Sequence, residues 1–203
     1  ELSMAARLHV SRPTARQALQ RLVDRGLLTR RRGVGTIVSP RHVHRPVELT
    51  SLMRDLVNAG HKVHTTIQHY EARPATAQEA DTLKITEGTL VVHIERTRFA
   101  DDEPIAVLTN LIPADIAPTM QELESASLYD LMRERGVTLA SARQIIGARS
   151  ATTKEAKLLS EHRGAALLTS QRTTYDPSGR IVECGNHIYR ASRYSFEASL
   201  FAQ

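Results

Sequence analysis

The chain has a single cysteine, Cys184, so no disulfide can form within it; one thiol in 203 residues fits a reducing cytoplasm. It lacks any uninterrupted apolar run of about 18 residues, so no membrane span is predicted. It also lacks the charged start and apolar stretch of a secretory signal. No Ser-His-Asp or Cys-His pattern and no metal-ligand spacing can be singled out, so no catalytic residue and no metal or other cofactor is assigned. Residues 1–46 contain no lysine. Their charge comes from ten arginines against two acids, Glu1 and Asp24, whereas the remainder holds 17 basic and 20 acidic residues. The net +5 of the chain therefore sits wholly in its first quarter. A basic segment ahead of a mildly acidic body suggests a polyanion-binding head on a different kind of domain, a solvated basic surface being the plainer alternative.

Within that head, Leu2, Ala5 and Leu8, with Met4, recur at helical spacing. After His9-Val10 breaks the period, Ser11 stands where a helix N-cap would, and Pro13 falls in a first turn that tolerates its missing N–H. Ala15, Ala18, Leu19, Leu22 and Val23 form an apolar stripe, and Gly26 closes the segment. A short helix, a tight turn and a second helix whose start is polar and basic make a helix-turn-helix, in which that start reaches base edges. Leu27–Thr29 and Thr36–Val38 then read as two strands around Gly33-Val34-Gly35, with Arg30, Arg31 and Arg32 loading the hairpin. Because the chain opens on Glu1, further residues are expected upstream of it.

Val10 to Leu19 (V-S-R-P-T-A-R-Q-A-L) and Arg31 to Val38 (R-R-G-V-G-T-I-V) resemble the winged helix-turn-helix of the GntR family of bacterial transcription regulators. The resemblance places Ser11, Arg12, Thr14 and Arg16 against double-stranded DNA and a tip containing Arg32, Gly33 and Gly35 in the minor groove. It also shows departures: Leu2 and Val34 stand where basic residues are common in the family, and a preceding helix is missing, so the head is expected to be incomplete at its start.

Ser39 to Glu48, with two prolines and no apolar period, reads as a linker between a head at 1–38 and a body at 49–203. His42 and His44 read as an incidental exposed pair. In the body, helices are predicted from Thr50 or Ser51 to Asn58, over Thr76–Leu83, Ser127–Arg135 and Thr153–Leu159. Strands are predicted over His64–Tyr70, Thr89–Phe99, Ile105–Ile112, Leu139–Ser150, Leu167–Tyr175 and Ile181–Arg190, with Tyr194–Phe201 finishing the sheet. Hairpins outnumber crossovers, so the fold class is α+β: a winged head plus an antiparallel sheet with helices packed on it.

On the strand at 90–99, alternation puts Leu90, Val92, Ile94, Arg96 and Arg98 on one face. A buried guanidinium needs an anion, and either a protein carboxylate or a ligand phosphate or carboxylate would serve Arg96 and Arg98. Glu183 and Tyr189 share a face of a later strand and read either as acceptor and donor for a ligand or as a salt bridge and a core tyrosine. Ser51 could offer its hydroxyl to an anion or simply cap its helix.

The body is similar to the effector-binding domain of the HutC-type subgroup of that family, the UTRA domain. The matching runs are Leu49–Leu52, Ile94–Ile105, Ser127–Leu131, Tyr175–Glu183 and Tyr189–Phe196. The resemblance implies a fold like that of chorismate lyase, a phosphate held by Arg96 and Arg98, and Ser51, Ser127, Glu183 and Tyr189 at an effector pocket. Leu108 and Ser192 depart from the pattern of amino-sugar-sensing members, which leaves phosphonates, imidazole acids and other carboxylates beside sugar phosphates. The working form expected is a cytoplasmic homodimer that reads a two-fold operator under control of a small anionic metabolite, with no membrane partner. Two other functions are alternatives: an enzyme of the lyase-like fold, and a metal-responsive regulator using His61, His64 and His69.

Overall fold

The computed structural model describes residues 7, 10–24, 28–31, 35–38, 43–46, 49 and 51–197. They divide into two compact units, 1–42 and 43–203. In the first, helix α1 (Arg12–Asp24) starts at Ser11, whose Oγ accepts from the Thr14 N–H at 3.3 Å, the bond of an N-cap. Ala15 and Leu19 supply its buried stripe. Strands β1 (Leu28–Arg31) and β2 (Gly35–Val38) pair antiparallel, from Leu28 opposite Val38 to Arg31 opposite Gly35. Apart from Arg7, which is helical, the helix expected over residues 2–8 lies outside the described residues, as do the tip residues Arg32 and Gly33.

The second unit is built on a six-stranded antiparallel sheet of order β4-β5-β6-β9-β8-β7. Its strands are β4 (Val63–Pro74), β5 (Leu90–Ala100), β6 (Glu103–Pro113), β7 (Ser141–Ser150), β8 (Ala166–Tyr175) and β9 (Ile181–Arg190). Period-2 alternation lets both faces of the sheet bury side chains. Helices α2 (Leu52–Asn58), α4 (Met120–Ser125) and α5 (Leu128–Glu134) pack Leu52, Leu56, Leu123, Leu128 and Met132 on one face. Helices α3 (Ala77–Leu83) and α6 (Thr153–Leu158) cover the other face against Val91 and Cys184, and against Val107 and Leu167, respectively. Among the described residues no helix is long and apolar enough to cross a membrane.

The sheet is made of two copies of one unit, helix–strand–helix–strand–strand, and the sequence repeats with it. Arg73-x-Ala75-Thr76-x-x-Glu79-Ala80-x-x-Leu83 recurs as Arg149-x-Ala151-Thr152-x-x-Glu155-Ala156-x-x-Leu159. In both copies the threonine and glutamate close a capping box, and the arginine forks onto the glutamate. Arg73 opposite Val91 has its counterpart in Arg149 opposite Leu167. Upstream, Ser51-Leu52 and Gly60 match Ser127-Leu128 and Gly136; the two glycines take φ of 83° and 82°, which only glycine adopts without strain. The copies meet where β6 pairs with β9, so a pseudo-two-fold axis runs through the sheet beside Thr109 and Asn186.

Three expectations change. Tyr194–Phe201 does not finish the sheet: β10 (Tyr194–Glu197) pairs in parallel with β3 (Val43–Pro46) in a separate two-stranded sheet, and residues 198–203 lie outside the described set. The run expected as linker therefore supplies a strand, because β10 offers its backbone a ladder that local sequence cannot reveal. Helix α4 was not anticipated, since Leu123 is its one deeply buried residue, although the Thr119–Glu122 capping box was a usable signal. Strand β4 runs past Tyr70 to Pro74, continuing beyond a register shift between Ile67 and His69 to pair with the whole of β5.

The paired capping boxes predict an acid-sensitive increment of stability. Glu79 and Glu155 are held down to about 2, first by the arginine bonds and also by the threonine caps. A depressed carboxyl stabilises the fold in full above its ordinary value near 4.5 and loses that contribution as pH falls toward 2. Glu155→Gln should therefore lower the urea midpoint at neutral pH, with the gap to the parent closing toward pH 2. Thr152→Ala should cost about 1 kcal/mol. A gap that is constant with pH would contradict the assignment.

Candidate functional site

Between the helices that cover one face of the sheet, a cleft of about 380 Å³ of empty space, its open mouth included, reaches down to the strands. Its floor follows from strand alternation. Arg96 and Arg98 on β5 stand opposite Leu108 and Ala106 on β6; Leu108 and Ala106 stand opposite His187 and Tyr189 on β9. Arg172 on β8 faces Gly185 of β9, which in turn faces Asn110 of β6. Ser51, Leu52 and Met53 at the start of α2, and Leu128 and Tyr129 at the start of α5, form the walls.

The floor is short of anions. Arg96 Nη2 donates to Asn110 Oδ1 at 3.0 Å, and Asn110 Nδ2 donates to Glu183 Oε1 at 2.6 Å. Glu183 Oε2 accepts from Thr174 Oγ1 at 2.8 Å and from Tyr129 Oη at 3.2 Å. Arg172 Nε donates to Gln144 Oε1 at 2.7 Å and Nη1 reaches Tyr129 Oη at 3.4 Å. Nε and Nη1 of both Arg96 and Arg98 are buried and have no partner. Among the described residues, three guanidiniums thus share the site with one carboxylate, and no carboxylate lines the cleft itself. Burial pushes Arg96 down to about 10; burial and then the neighbouring Arg96 push Arg98 down to about 9, so both remain charged at neutral pH. Burial raises Glu183 against the bonds it accepts, and burial followed by the Glu183 charge lifts Tyr129 to about 12. A positive excess of two charges or more remains whichever proton state Glu183 takes.

Of the residues singled out from sequence, Ser51, Arg96, Arg98 and Tyr189 line the cleft together. Glu183 does not: it is fully buried beneath the floor, its oxygens occupied by Asn110, Thr174 and Tyr129. Ser127 is the buried N-cap of α5 beside the lining residues Leu128 and Tyr129, and its Oγ has no partner. Ser51 and Ser127 are repeat counterparts, and neither side chain caps its helix, whereas Thr76, Thr119 and Thr152 all do. Sequence reasoning missed Asn110, Tyr129, Arg172 and His187. Arg172 was findable as the repeat counterpart of Arg96. Asn110 shares the parity of Leu108, but nothing local shows that its strand lies beside β9.

Gly185 makes room for this network. A methyl group there would sit 2.5 Å from Glu183 Oε1 and 2.6 Å from His187 Nε2. Both contacts are with side-chain ends, Glu183 held in place by its hydrogen bonds and His187 on the cleft, so an added methyl must displace one of them.

In the first unit, Ser11, Arg12, Thr14 and Arg16 are exposed at the start of α1. Arg12, Arg16 and Gln20 follow one another at four-residue spacing along one face. Gly35 opens β2 at a φ of 100°. The histidines of the metal-sensing alternative are engaged separately: His61 Nδ1 bonds Asp101 at 2.7 Å, His64 stacks on Phe99 at 4.4 Å, and His69 lies 3.4 Å from Glu71. Among the described residues, no group of three or more His, Cys, Asp or Glu could hold a metal ion.

Comparison with known proteins matches residues 1–38 to the family described as bacterial regulatory proteins, gntR family, and residues 58–195 to the UTRA domain. The HTH-type transcriptional repressor NagR of Bacillus subtilis is 33% identical over 97% of this chain and 82% of its own length. The transcriptional regulator PhnF of Escherichia coli is 34% identical over 78% of this chain and 67% of its own. The crystal structure of PhnF from Mycobacterium smegmatis superposes with a TM-score of 0.88 at 26% identity, covering 99% of this chain and 90% of that one.

Gly185→Ala tests the packing beneath the floor. The added methyl should displace Glu183 or His187 and cost about 1–3 kcal/mol, read as a lowered denaturant midpoint. An unchanged midpoint would mean that the buried network yields without penalty.

Proposed function

Because the chain belongs to the gntR family of bacterial regulatory proteins and carries a UTRA domain as its body, we propose that it is a transcriptional repressor whose hold on operator DNA is set by a small dianionic metabolite in the cleft. It is a regulator, not an enzyme. The observation that carries the ligand class is the pair of guanidiniums on β5, buried with no facing carboxylate among the described residues. A phosphate monoester supplies about two negative charges and three acceptor oxygens, which is what the excess charge and the unpartnered N–H groups call for. Sugar phosphates are favoured, since Asn110, Tyr129, His187 and Tyr189 surround the arginines with groups able to bond hydroxyls; phosphonates and imidazole or other carboxylates are the alternatives.

The head then engages double-stranded DNA through Ser11, Arg12, Thr14 and Arg16, with Arg32, Gly33 and Gly35 at the wing. Two copies acting together in the cytoplasm present two such helices to a two-fold operator. Ligand and DNA are linked only if the ligand binds one arrangement of the protein more tightly than another. The route we infer starts at Tyr189, whose ring stacks on Tyr194 at 4.2 Å. Tyr194 lies on β10, and β10 pairs with β3, the first strand after the head.

A thermal-shift screen of sugar phosphates, phosphonates, inorganic anions and imidazole carboxylates tests this reading, coupled to operator titration. A phosphorylated compound at about 100 times its Kd should add about 2.7 kcal/mol, roughly 5–11 °C for a chain of this size. Arg96→Ala should abolish the shift and leave operator affinity intact, and Arg12→Ala should do the reverse. No shift with any anion would make the arginines structural and the body a dimerisation module.

A further inference from the structure

The cleft has the symmetry of the repeat. Its lining residues come in counterpart pairs: Leu52 at the start of α2 with Leu128 at the start of α5, Asn110 with His187, and Arg96 with Arg172. The ladder fixes where the axis passes. Arg96 stands opposite Leu108, which stands opposite His187; Arg172 stands opposite Gly185, which stands opposite Asn110. The pseudo-two-fold axis therefore rises through the floor between β6 and β9. The cleft has two ends, one from each repeat, and each end has its own buried arginine.

The two ends carry unequal charge. Arg96 has Arg98 two residues along β5, whereas the second half has Thr174 at the matching position, its hydroxyl donating to Glu183 at 2.8 Å. One end thus offers two guanidiniums and the other offers one. Arg172 is held as Arg96 is, by a neutral carboxamide: its Nε donates to Gln144 Oε1 at 2.7 Å, as Arg96 Nη2 donates to Asn110 Oδ1 at 3.0 Å. Its other bond is long, 3.4 Å from Nη1 to the Tyr129 hydroxyl, and Nη2 makes none among the described residues. No ion pair joins Arg172 to Glu183, whose oxygens are taken by Asn110, Thr174 and Tyr129. A guanidinium 6% exposed on the lining of a cleft, with two neutral partners, calls for an anion from outside the chain, as its counterpart does.

Resting on the reading of the cleft as a phosphate-ester site, we propose that the effector is a phosphorylated acid lying across the pseudo-two-fold axis, with its phosphate on Arg96 and Arg98 and a carboxylate on Arg172. The charges match end for end: a dianion meets two guanidiniums, and a monoanion meets one. Three strand spacings separate β5 from β8, about 14 Å at the backbone, a gap that two long arginine side chains narrow to the reach of a short polyol chain. Between the ends, Asn110, His187 and Tyr189 present polar groups to the hydroxyls of such a chain. A sugar-acid phosphate satisfies the whole floor, whereas a neutral sugar phosphate leaves Arg172 without an anion.

Isothermal titration of the full chain with matched pairs tests the second acid, each pair differing only in a terminal carboxylate against a hydroxymethyl group. The pairs are 3-phosphoglycerate with glycerol 3-phosphate, erythronate 4-phosphate with erythritol 4-phosphate, and 6-phosphogluconate with glucitol 6-phosphate. In at least one pair the acid should bind at least about tenfold more tightly. Arg172→Gln should bring that acid down to the affinity of its alcohol, and Arg172→Lys, which keeps the charge, should retain a preference. Arg96→Ala should abolish binding of both. Alcohols that bind as tightly as their acids in every pair would overturn the second acid while leaving the phosphate site standing, as would a preference that survives Arg172→Gln. Failure of all the esters and of inorganic phosphate to bind would overturn the phosphate reading on which the proposal rests.

Discussion

Two guanidiniums held in a sheet with no carboxylate facing them among the described residues are the constraint around which the body of this protein is arranged. An arginine in a protein interior normally brings its own anion, because an unpaired buried charge costs several kcal/mol. Here Arg96 has one neutral partner, Asn110, through one nitrogen. Among the described residues, the one carboxylate within the polar layer, Glu183, is turned away beneath the floor and spent on neighbours. The fold tolerates this deficit because an open cleft admits water or a ligand to the outer side of the arginines, and because helices cover both faces of the central strands.

The duplicated architecture accounts for how such a site is built. The two halves provide the same scaffold: matched helix starts at Ser51 and Ser127, matched arginines at Arg96 and Arg172, and matched capping boxes on the far face. Function enters where the halves differ. The β-ladder register puts Arg98 in the first half where the second has Thr174, Ala106 where the second has Glu183, and Ile112 where the second has Tyr189. A symmetric floor would carry charge on both sides alike. The actual floor concentrates unpartnered charge on β5 and gathers hydrogen-bonding groups on β9. Gly185, where the first half has Leu108, opens the space in which Glu183, Asn110 and His187 meet.

Much of this was legible in the sequence. The charge imbalance, the Ser11 cap and the Gly-x-Gly hairpin marked the head, and strand alternation alone put Arg96 and Arg98 on one face. What local patterns could not show was which strands become neighbours. Asn110, Arg172 and His187 belong to the site only because β6 lies beside β9 and β8 beyond it, a pairing set by the second half of the repeat folding back on the first. The same blindness placed Glu183 on the cleft: its parity was read correctly, but its depth depends on Tyr129 and Thr174 reaching it from other elements. Strand β3 went unseen because its partner, β10, lies at the other end of the body.

The charge of the ligand is the point on which the account turns. Isothermal titration of the phosphate ester that gives the largest thermal shift, against the sulfate ester of the same compound, compares a dianion with a monoanion of the same shape. A floor carrying an excess of two positive charges should bind the phosphate ester at least about tenfold more tightly, or about 1.4 kcal/mol. Equal affinities for the two esters would contradict the account, because the arginines would then be responding to shape and hydrogen bonding and not to a charge deficit.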